Sequence, residues 1–156
     1  MIEILKADKT HKEVVLKLLD DFVTACIQVI DPEKGFISTA AKESGSPVFD
    51  EVVDSTDGAI FLAKDENNYV GIVTVYKIPQ IRKGRCCAEI EEMYVVDEFQ
   101  GKNVAEKLVD AVIKWAKENS IKCVRLESSN ELKRAHGFYE KAGFKFYAKA
   151  YEKIIE

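Results

Sequence analysis

Residues 88–108 read AEIEEMYVVDEFQGKNVAEKL and place a strand, a short turn and a helix directly after one another. Residues 88–96 predict a long strand. The helix is predicted because apolar residues follow the turn at helical spacing. They are Val104, Leu108, Val112 and Ala116, with Val109 and Ile113 beside them. This strand-turn-helix unit is the clearest structural signal in the chain.

The turn Gln100-Gly101-Lys102-Asn103 lies just before the predicted helix. The first N–H groups of a helix lack intrahelical partners and carry the positive end of its dipole, so this turn suits a phosphate or pyrophosphate. An ordinary turn in which Gly101 only relieves strain is the alternative. Neither GxGxxG nor GxxxxGK[ST] occurs, which argues against Rossmann and P-loop sites.

The first third of the chain predicts a helix and then an irregular excursion. Thr10 and Glu13 form a capping box. The helix after it has a broad apolar face made of Val14, Val15, Leu18, Leu19, Phe22, Val23, Cys26 and Ile27. Residues 31–56 lose this periodicity and contain glycine and proline breakers. We expect one or two short helices there, in a segment that serves as a substrate lid.

Two strands are predicted between the excursion and the central unit. Residues 59–63 and residues 69–76 have strand composition, and the turn signal at residues 65–68 makes them an antiparallel hairpin. A further turn is predicted at residues 79–84. The sheet therefore contains at least one antiparallel pair before the strand at residues 88–96.

The last third of the chain predicts a strand, a helix and a final pair of short strands. Residues 123–126 form the strand. Ser128 and Glu131 form a second capping box, and residues 132–142 predict a helix that ends at Gly143. Residues 144–148, followed by Tyr151, predict one or two strands. No internal repeat or low-complexity linker interrupts this order.

Length and composition favour one domain over residues 1–156. With 47% hydrophobic and 32% charged residues the chain can bury a core, and its net charge of 23 − 27 = −4 argues against a generic nucleic-acid binder. The longest uncharged stretch, residues 67–76, is too short to cross a membrane, and no secretory signal is recognised. We expect a cytoplasmic protein. Four reduced cysteines then serve packing, namely Cys26, Cys86, Cys87 and Cys123.

The central turn and two flanking segments resemble the GNAT family of N-acetyltransferases. The family's acetyl-CoA loop, Q/R-x-x-G-x-G/A, is matched at Gln100 and Ala105. Asn103 stands where the family usually has glycine, and because Asn tolerates a left-handed backbone best after Gly, we expect the loop conformation to be kept. Residues 90–95 resemble the family's fourth strand, and residues 135–144 resemble its closing segment, A-x-x-F-Y-E-x-x-G-F.

The resemblance implies an α/β GNAT fold, with a mixed, mainly antiparallel sheet flanked by helices on both faces and splayed central strands. It implies acetyl-CoA as cosubstrate, with no metal. The pantetheine arm would bond to main-chain groups of Met93 and Val95. The implied pyrophosphate loop consists of Gln100, Gly101, Lys102, Asn103, Val104 and Ala105. Leu132 replaces the Asn that many members use to bind the arm, and Asn130 is the nearest substitute.

Three glutamates in the central strand are candidates for the base that accepts the amine proton. Regular alternation puts Glu89, Glu91, Met93 and Val95 on one face, and Ile90, Glu92, Tyr94 and Val96 on the other. A bulge would reverse the assignment on one side of it. Glu91 and Glu92 are the first choices and Glu89 the third, because buried unpaired charge is rare outside a site. The alternative is that these acids pair with Arg82, Lys83 or Arg85 or face solvent.

Tyr139 matches the family tyrosine that protonates the CoA sulfur, and its alternative role is packing against Phe138 and Phe144. The predicted activity is direct acetyl transfer from acetyl-CoA to a primary amine, with a carboxylate base and a tyrosine acid. We expect a small amine, because Asp50, Glu51, Asp54 and the strand glutamates could attract a cation. Alternatives are a silent acyl-CoA sensor or partner-binding module on the same fold, and a protein lysine acetyltransferase. A homodimer stays open.

Overall fold

The structure, a computed structural model, describes residues 1–155 as one five-stranded sheet with helices against it. The strands are β1 (Ile2–Lys6), β2 (Gly58–Asp65), β3 (Asn68–Gln80), β4 (Arg85–Val95) and β5 (Val124–Leu126). The helices are α1 (Lys12–Ile30), α2 (Ala40–Ser44), α3 (Ser46–Asp54), α4 (Val104–Glu118) and α5 (Lys133–Lys141). The predicted central unit is thus β4, a turn and α4.

The strands follow one another across the sheet in the order β1-β2-β3-β4-β5. The first three pairings are antiparallel, and β4 pairs with β5 in parallel. That parallel pairing runs only from Ala88 opposite Val124 to Ile90 opposite Leu126, whereas β4 continues to Val95. The two strands therefore separate after Ile90, and the predicted mixed, mainly antiparallel sheet with splayed central strands is confirmed.

Helices cover both faces of the sheet, as predicted. On one face, α4 buries Val104, Leu108 and Val112 against strand residues such as Val73 and Ile90. On the other face, α1 and α3 pack on the sheet, and the buried side chains there include Val15, Leu18, Phe49, Leu62 and Ile72. The helical spacing in the sequence had identified both buried helix faces because burial, at 3.6 residues per turn, produces that spacing.

The hairpin of β3 and β4 is longer than predicted. The turn expected at residues 79–84 begins later, because Pro79 lies within β3, opposite Cys86 of β4. The Lys77 N–H donates to the Asp57 carbonyl on the β2 side, at 2.7 Å. Pro79 lies two residues further along β3 and faces the same side, but it is beyond the end of β2. Its missing N–H therefore leaves no carbonyl of β2 without a donor.

Both predicted capping boxes are wrong. Asp8 caps the start of the first helical segment instead, accepting from the Thr10 N–H at 2.8 Å and from its hydroxyl at 2.6 Å, and α1 begins only at Lys12. Near Ser128, the Leu132 N–H donates to the Ser129 carbonyl at 3.0 Å, so a tight turn separates Ser128 from α5. A capping pattern in sequence fails when another turn comes between the cap and the helix.

The predicted end of α5 is confirmed, but the predicted final strands are wrong. Gly143 has φ +88°, and the Phe144 N–H donates to the Tyr139 carbonyl at 2.9 Å, as expected for a glycine after a helix. Residues 145–155 form no strand, and only Phe144 packs on the core. β5 is three residues long and offers few backbone groups for another strand to pair with.

β1 has no counterpart in the sequence prediction. It pairs with β2 from Ile2 opposite Asp65 to Lys6 opposite Phe61, and Ile4 packs on the core beneath α4. Its five residues mix apolar and charged side chains without a clear period, so the pattern alone gives no strand signal. Within residues 1–155 no helix combines the length and apolar character needed to span a membrane.

Candidate active site

A β-bulge in β4 determines which glutamate faces which side of the sheet. Val73 lies opposite Met93 and Val75 opposite Ile90, so Glu91 and Glu92 together face the single residue Thr74. The bulge reverses the alternation, as considered above. Ile90 packs in the core beneath α4, whereas Glu92 lines a cavity on the α1 side. The regular assignment of Ile90 and Glu92 to one face is therefore wrong.

Glu92 is held by Thr74. The buried Thr74 hydroxyl donates to the Glu92 carboxylate in a short hydrogen bond, and the Glu92 N–H donates to the same hydroxyl oxygen at 3.0 Å. Burial raises the pKa of Glu92, Glu91 raises it further, and the bond from Thr74 lowers it, with a net increase. Glu92 is therefore a partly buried carboxylate whose raised pKa makes it a better proton acceptor than an ordinary glutamate.

Glu91 and Glu89 have other surroundings. Glu91 is exposed, and its pKa is raised by partial burial and by the nearby charges of Glu89 and Glu127. Glu89 forms a short ion pair with Arg125 of β5. Among the described residues, none of the predicted partners Arg82, Lys83 and Arg85 forms an ion pair. Glu89 is therefore engaged in holding β4 to β5.

The main-chain groups of Met93 and Val95 point away from β3. The Val96 N–H donates to the Val70 carbonyl at 3.0 Å, and in an antiparallel pair the neighbouring residues alternate in direction. Both residues lie beyond Ile90, the last residue of β4 paired with β5. The Gln100 side chain donates to the Val95 carbonyl at 3.0 Å. The Met93 groups and the Val95 N–H therefore face the gap between the strands.

The turn before α4 has the backbone that the sequence predicted. Gly101 has φ +78° and Asn103 has φ +60°, so the left-handed conformation expected of Asn103 is confirmed. The first helical bond joins the Lys107 N–H to the Asn103 carbonyl at 3.3 Å. In the described part of the chain, the amides of Gly101, Asn103, Val104 and Ala105 have no acceptor. This cluster of free donors suits an anion.

Tyr139 lies in α5 with its ring edge-on to Phe138 and Phe144, at 5.4 and 5.8 Å between ring centroids. Burial, with a smaller effect of Cys26, raises the pKa of Tyr139 to about 12. Cys26 also acts on the pKa of Tyr94, so Tyr139 and Tyr94 approach a common residue of α1. No hydrogen bond to the Tyr139 hydroxyl is formed within residues 1–155.

Other predicted site residues lie apart from this group. Asn130 is exposed in the turn before α5, and among residues 1–155 it forms no hydrogen bond with β4 or with the loop before α4. Asp50 pairs with Lys12 at 2.6 Å, and Asp54 pairs with Lys9 at 2.9 Å. Of the three acids within residues 50–54 that were predicted to attract a cation, two are therefore already paired with a lysine. Glu51 is exposed.

The sequence analysis missed two polar groups beside Glu92. Thr74 and Tyr76 line the same cavity, which measures about 340 Å³. Burial and the charge of Glu92 raise the pKa of Tyr76 to about 12. A threonine in the middle of an otherwise apolar strand, at residues 70–75, was the available signal. Residues 1–155 contain no group of three or more His, Cys, Asp or Glu side chains placed to hold a metal ion.

The cysteines are reduced, as expected. The Cys87 and Cys123 sulfurs lie 2.9 Å apart at the start of the β4–β5 pairing. Burial and Cys123 raise the pKa of Cys87 to about 12, and burial raises that of Cys26. Thiols with raised pKa values are poor nucleophiles, which agrees with a packing role.

Comparison with known proteins adds a family and a fold. The model of the acetyltransferase (GNAT) family matches residues 21–144. Human N-acetyltransferase 8B is 25% identical over 116 residues, which cover 73% of this chain and 50% of that protein. The chain thus spans about half the length of this curated relative.

Solved structures with the same fold are numerous. A transcriptional regulator from Bacillus halodurans C-125 superposes with a TM-score of 0.79 at 21% identity, covering 99% of this chain and 100% of that one. A predicted acetyltransferase with acetyl-CoA from Clostridium acetobutylicum gives 0.77 at 20%, covering 99% and 96%. The aminoglycoside acetyltransferase meta-AAC0020, from an uncultured soil sample, gives 0.77 at 16%, covering 99% and 97%. At these identities the likeness concerns the fold.

Proposed function

This chain belongs to the acetyltransferase (GNAT) family, and we propose that it transfers an acetyl group from acetyl-CoA to a primary amine of a small molecule. One observation carries the proposal. Glu92, a partly buried carboxylate with a raised pKa, precedes Met93, whose main-chain groups face the gap beyond the last residue paired with β5. A proton acceptor thus stands next to a place where a thioester can bind.

The residues present fit acetyl-CoA. The free amides of Gly101, Asn103, Val104 and Ala105 would hold the pyrophosphate at the start of α4, where the helix dipole favours negative charge. The main-chain groups of Met93 and the Val95 N–H would bond to the pantetheine arm. When bound, acetyl-CoA supplies an activated acetyl group. Asn130 is not part of this proposal, because it is exposed and forms no hydrogen bond with the loop.

Glu92 and Tyr139 would handle the two protons of the reaction. An ammonium group cannot attack a carbonyl, so Glu92 accepts a proton from the amine, directly or through water, and its raised pKa improves the match to this task. Tyr139, with a pKa of about 12, keeps its phenol proton at neutral pH and would give it to the departing sulfur. Thr74 positions the Glu92 carboxylate.

A silent acyl-CoA sensor on the same fold is the second candidate. Two observations favour it: Asn103 occupies a position that is usually glycine in the family, and Leu132 stands where many members have the Asn that binds the pantetheine arm. In such a protein acetyl-CoA binds but no amine is acetylated. An acetyltransferase that acts on protein lysines is the third candidate. A lysine-containing peptide serves as its substrate in the test.

Acetyl-CoA binding and amine turnover test these candidates together. Binding is measured as an increase in melting temperature, and turnover as release of CoA thiol with a panel of small amines and a lysine peptide. Reactions without amine measure hydrolysis of the thioester. Release above this control with a small amine supports the proposal. Binding without release on any amine favours the sensor, and release with the peptide alone favours a protein substrate.

A further inference from the structure

The cavity that contains Glu92 is mostly apolar. It lies between α1, α2, α3 and the sheet, has a volume of about 340 Å³, and is at the lower end of the size range of small-molecule pockets. Its lining includes Val15, Leu19, Phe22, Phe49 and Ile60. The polar groups at its sheet end are Thr74, Tyr76 and Glu92. The cavity therefore combines three polar side chains on the sheet with a mostly apolar lining from the helices.

Two carboxylates line this cavity, but only one is available to a ligand. Asp20 accepts hydrogen bonds from the Ala41 N–H at 3.0 Å, the Lys42 N–H at 2.9 Å and the Ser38 hydroxyl at 2.9 Å. These bonds tie α1 to α2. Burial acts to raise the pKa of Asp20, but the hydrogen bonds outweigh it and the net pKa is lowered. Asp20 is thus a structural anion with its charge already solvated by the protein.

The Glu92 carboxylate accepts fewer hydrogen bonds than that of Asp20. One hydroxyl, that of Thr74, donates to its side chain, and no cation pairs with it among residues 1–155. The cavity therefore offers one negative group for one ammonium group. A second ammonium group in the apolar body would be buried without a partner, which costs several kcal/mol.

The mouth of the cavity is apolar as well. Val23 is 38% exposed, Phe36 39% and Val48 59%, and all three line the cavity. Large apolar side chains that line a pocket and stay exposed are typical of ligand-binding surfaces. The acids near this side, Asp50 and Asp54, are paired with Lys12 and Lys9. Among residues 1–155, Asp20 and Glu92 are the only carboxylates that line the cavity, so its lining lacks the cluster of free carboxylates that a polycation needs.

From these features we infer that the acceptor is a primary amine with a single cationic group on an apolar alkyl or aryl body. The inference rests on the proposed function and narrows its substrate class. The amine nitrogen lies at Glu92, and the apolar body extends along α1 toward Phe36 and Val48. This class differs from the polycationic aminoglycosides named for several structures of the same fold, which share 12 to 16% identity with this chain.

A matched pair of amines tests the inference. Butylamine and 1,4-diaminobutane have the same chain, and only the second has another ammonium group. We expect kcat/KM for butylamine to exceed that for 1,4-diaminobutane by at least ~100-fold, since each ~1.4 kcal/mol is a factor of ten. 2-Phenylethylamine should be used at least as well as butylamine, and neamine poorly. Equal or better use of the diamine or of neamine overturns the inference.

A variant in the cavity sharpens the test. Val48→Glu puts a carboxylate on an exposed rim position, so it should raise kcat/KM for 1,4-diaminobutane by about two- to fivefold, as expected for a partly exposed ion pair, and lower it for butylamine. The matched control is Ile81→Glu, which changes a side chain 96% exposed and away from the cavity. The control should leave the ratio of the two amines unchanged. No change of the ratio in Val48→Glu contradicts the assignment of the cavity.

Direct binding separates failure of this inference from failure of the proposed function. Calorimetry with butylamine and 1,4-diaminobutane, in the presence of unreactive CoA, reports on the cavity without turnover. If butylamine binds more tightly but no CoA is released from acetyl-CoA, the transfer proposal fails and the cavity assignment stands. If CoA is released with all amines and binding does not discriminate, the cavity assignment fails and transfer stands.

Discussion

Glu91 and Glu92 are adjacent in β4, yet only Glu92 lies in the cavity with Thr74. We predict that Glu92→Gln lowers kcat by roughly 10²- to 10⁴-fold, the range that a positioned base supplies. Glu91→Gln is the matched control, and it should change kcat less than a few-fold because Glu91 is exposed. Steady-state kinetics of both variants between pH 6 and 9 measure the effect. A larger loss of kcat in Glu91→Gln than in Glu92→Gln would identify Glu91 as the base.

Tyr139→Phe removes one proton and keeps the ring between Phe138 and Phe144. We predict that kcat decreases by roughly ten- to a thousand-fold while melting temperature and acetyl-CoA affinity stay close to wild type. Because the pKa of Tyr139 is raised to about 12, the wild-type rate should not decline between pH 9 and 10 through loss of this proton. A folded variant with the wild-type rate, when chemistry limits turnover, would leave Tyr139 a packing residue.

The sequence identified the acidic strand but not the arrangement of its acids. The direction of each side chain in β4 depends on a bulge, and the bulge arises from the pairing of β4 with β3. The residues that meet at the bulge are about 18 positions apart in the sequence. Thr74 and Tyr76 were missed for the same reason. Both lie in a strand whose composition predicts burial, and nothing in its own sequence shows that Glu92 will face them.

At the scale of elements, the loop before α4 supports a prediction about nucleotide recognition. Acetyl-CoA should raise the melting temperature through the free amides of Gly101, Asn103, Val104 and Ala105, and acetyl-pantetheine, which lacks the pyrophosphate, should raise it much less. Asn103→Gly should bind acetyl-CoA as well as wild type or better, because glycine adopts φ +60° without strain. Thermal shift titrations measure all three.

Gly101→Ala is the control for this loop. A Cβ at Gly101 meets no atom within 4 Å, so any loss of binding reports the strain of an alanine at φ +78° and not a clash within the protein. We expect weaker acetyl-CoA binding in this variant. Equal stabilisation of wild type by acetyl-CoA and acetyl-pantetheine would contradict the assignment of the loop to pyrophosphate.

Elements were predicted where their own residues determine them. α1 and α4 followed from apolar spacing, and the glycine after α5 followed from its backbone freedom. The final strands failed because residues 145–155 have aromatic, strand-like composition but no neighbouring strand to pair with. Composition is a property of one segment, whereas a strand also needs hydrogen bonds to the backbone of a second segment.

For the whole molecule, the order of the elements predicted the fold but not the distribution of charge. Asp50 and Asp54 looked available for a cationic substrate. Their partners Lys12 and Lys9, however, lie at the start of α1 and just before it, about 40 residues earlier in the chain. Glu89 similarly finds Arg125 across the β4–β5 pair. Such pairs follow only from the assembled structure, and within residues 1–155 no cation pairs with Glu92, which lines the cavity.

This difference between Glu89 and Glu92 predicts opposite effects on stability. Burial raises the folded-state pKa of Glu92 above its ordinary 4.5, so the folded protein binds this proton more tightly than the unfolded chain. Stability from this group is therefore fully present below pH 4.5 and is lost as the pH rises through the folded-state pKa. Glu92→Gln cannot ionise, and it should melt at a higher temperature than wild type at pH 7 and lose that advantage at pH 4.

Glu89→Gln is the matched variant on the same strand, and it should melt lower than wild type at pH 7. It removes the partner of Arg125, which is largely buried between β4 and β5, and leaves that cation unpaired. Thermal unfolding of wild type and both variants at pH 4, 5.5 and 7 measures the pattern. A Glu92→Gln variant less stable than wild type at pH 7 would mean that the Thr74 bond outweighs burial, and the base would then have an ordinary or lowered pKa.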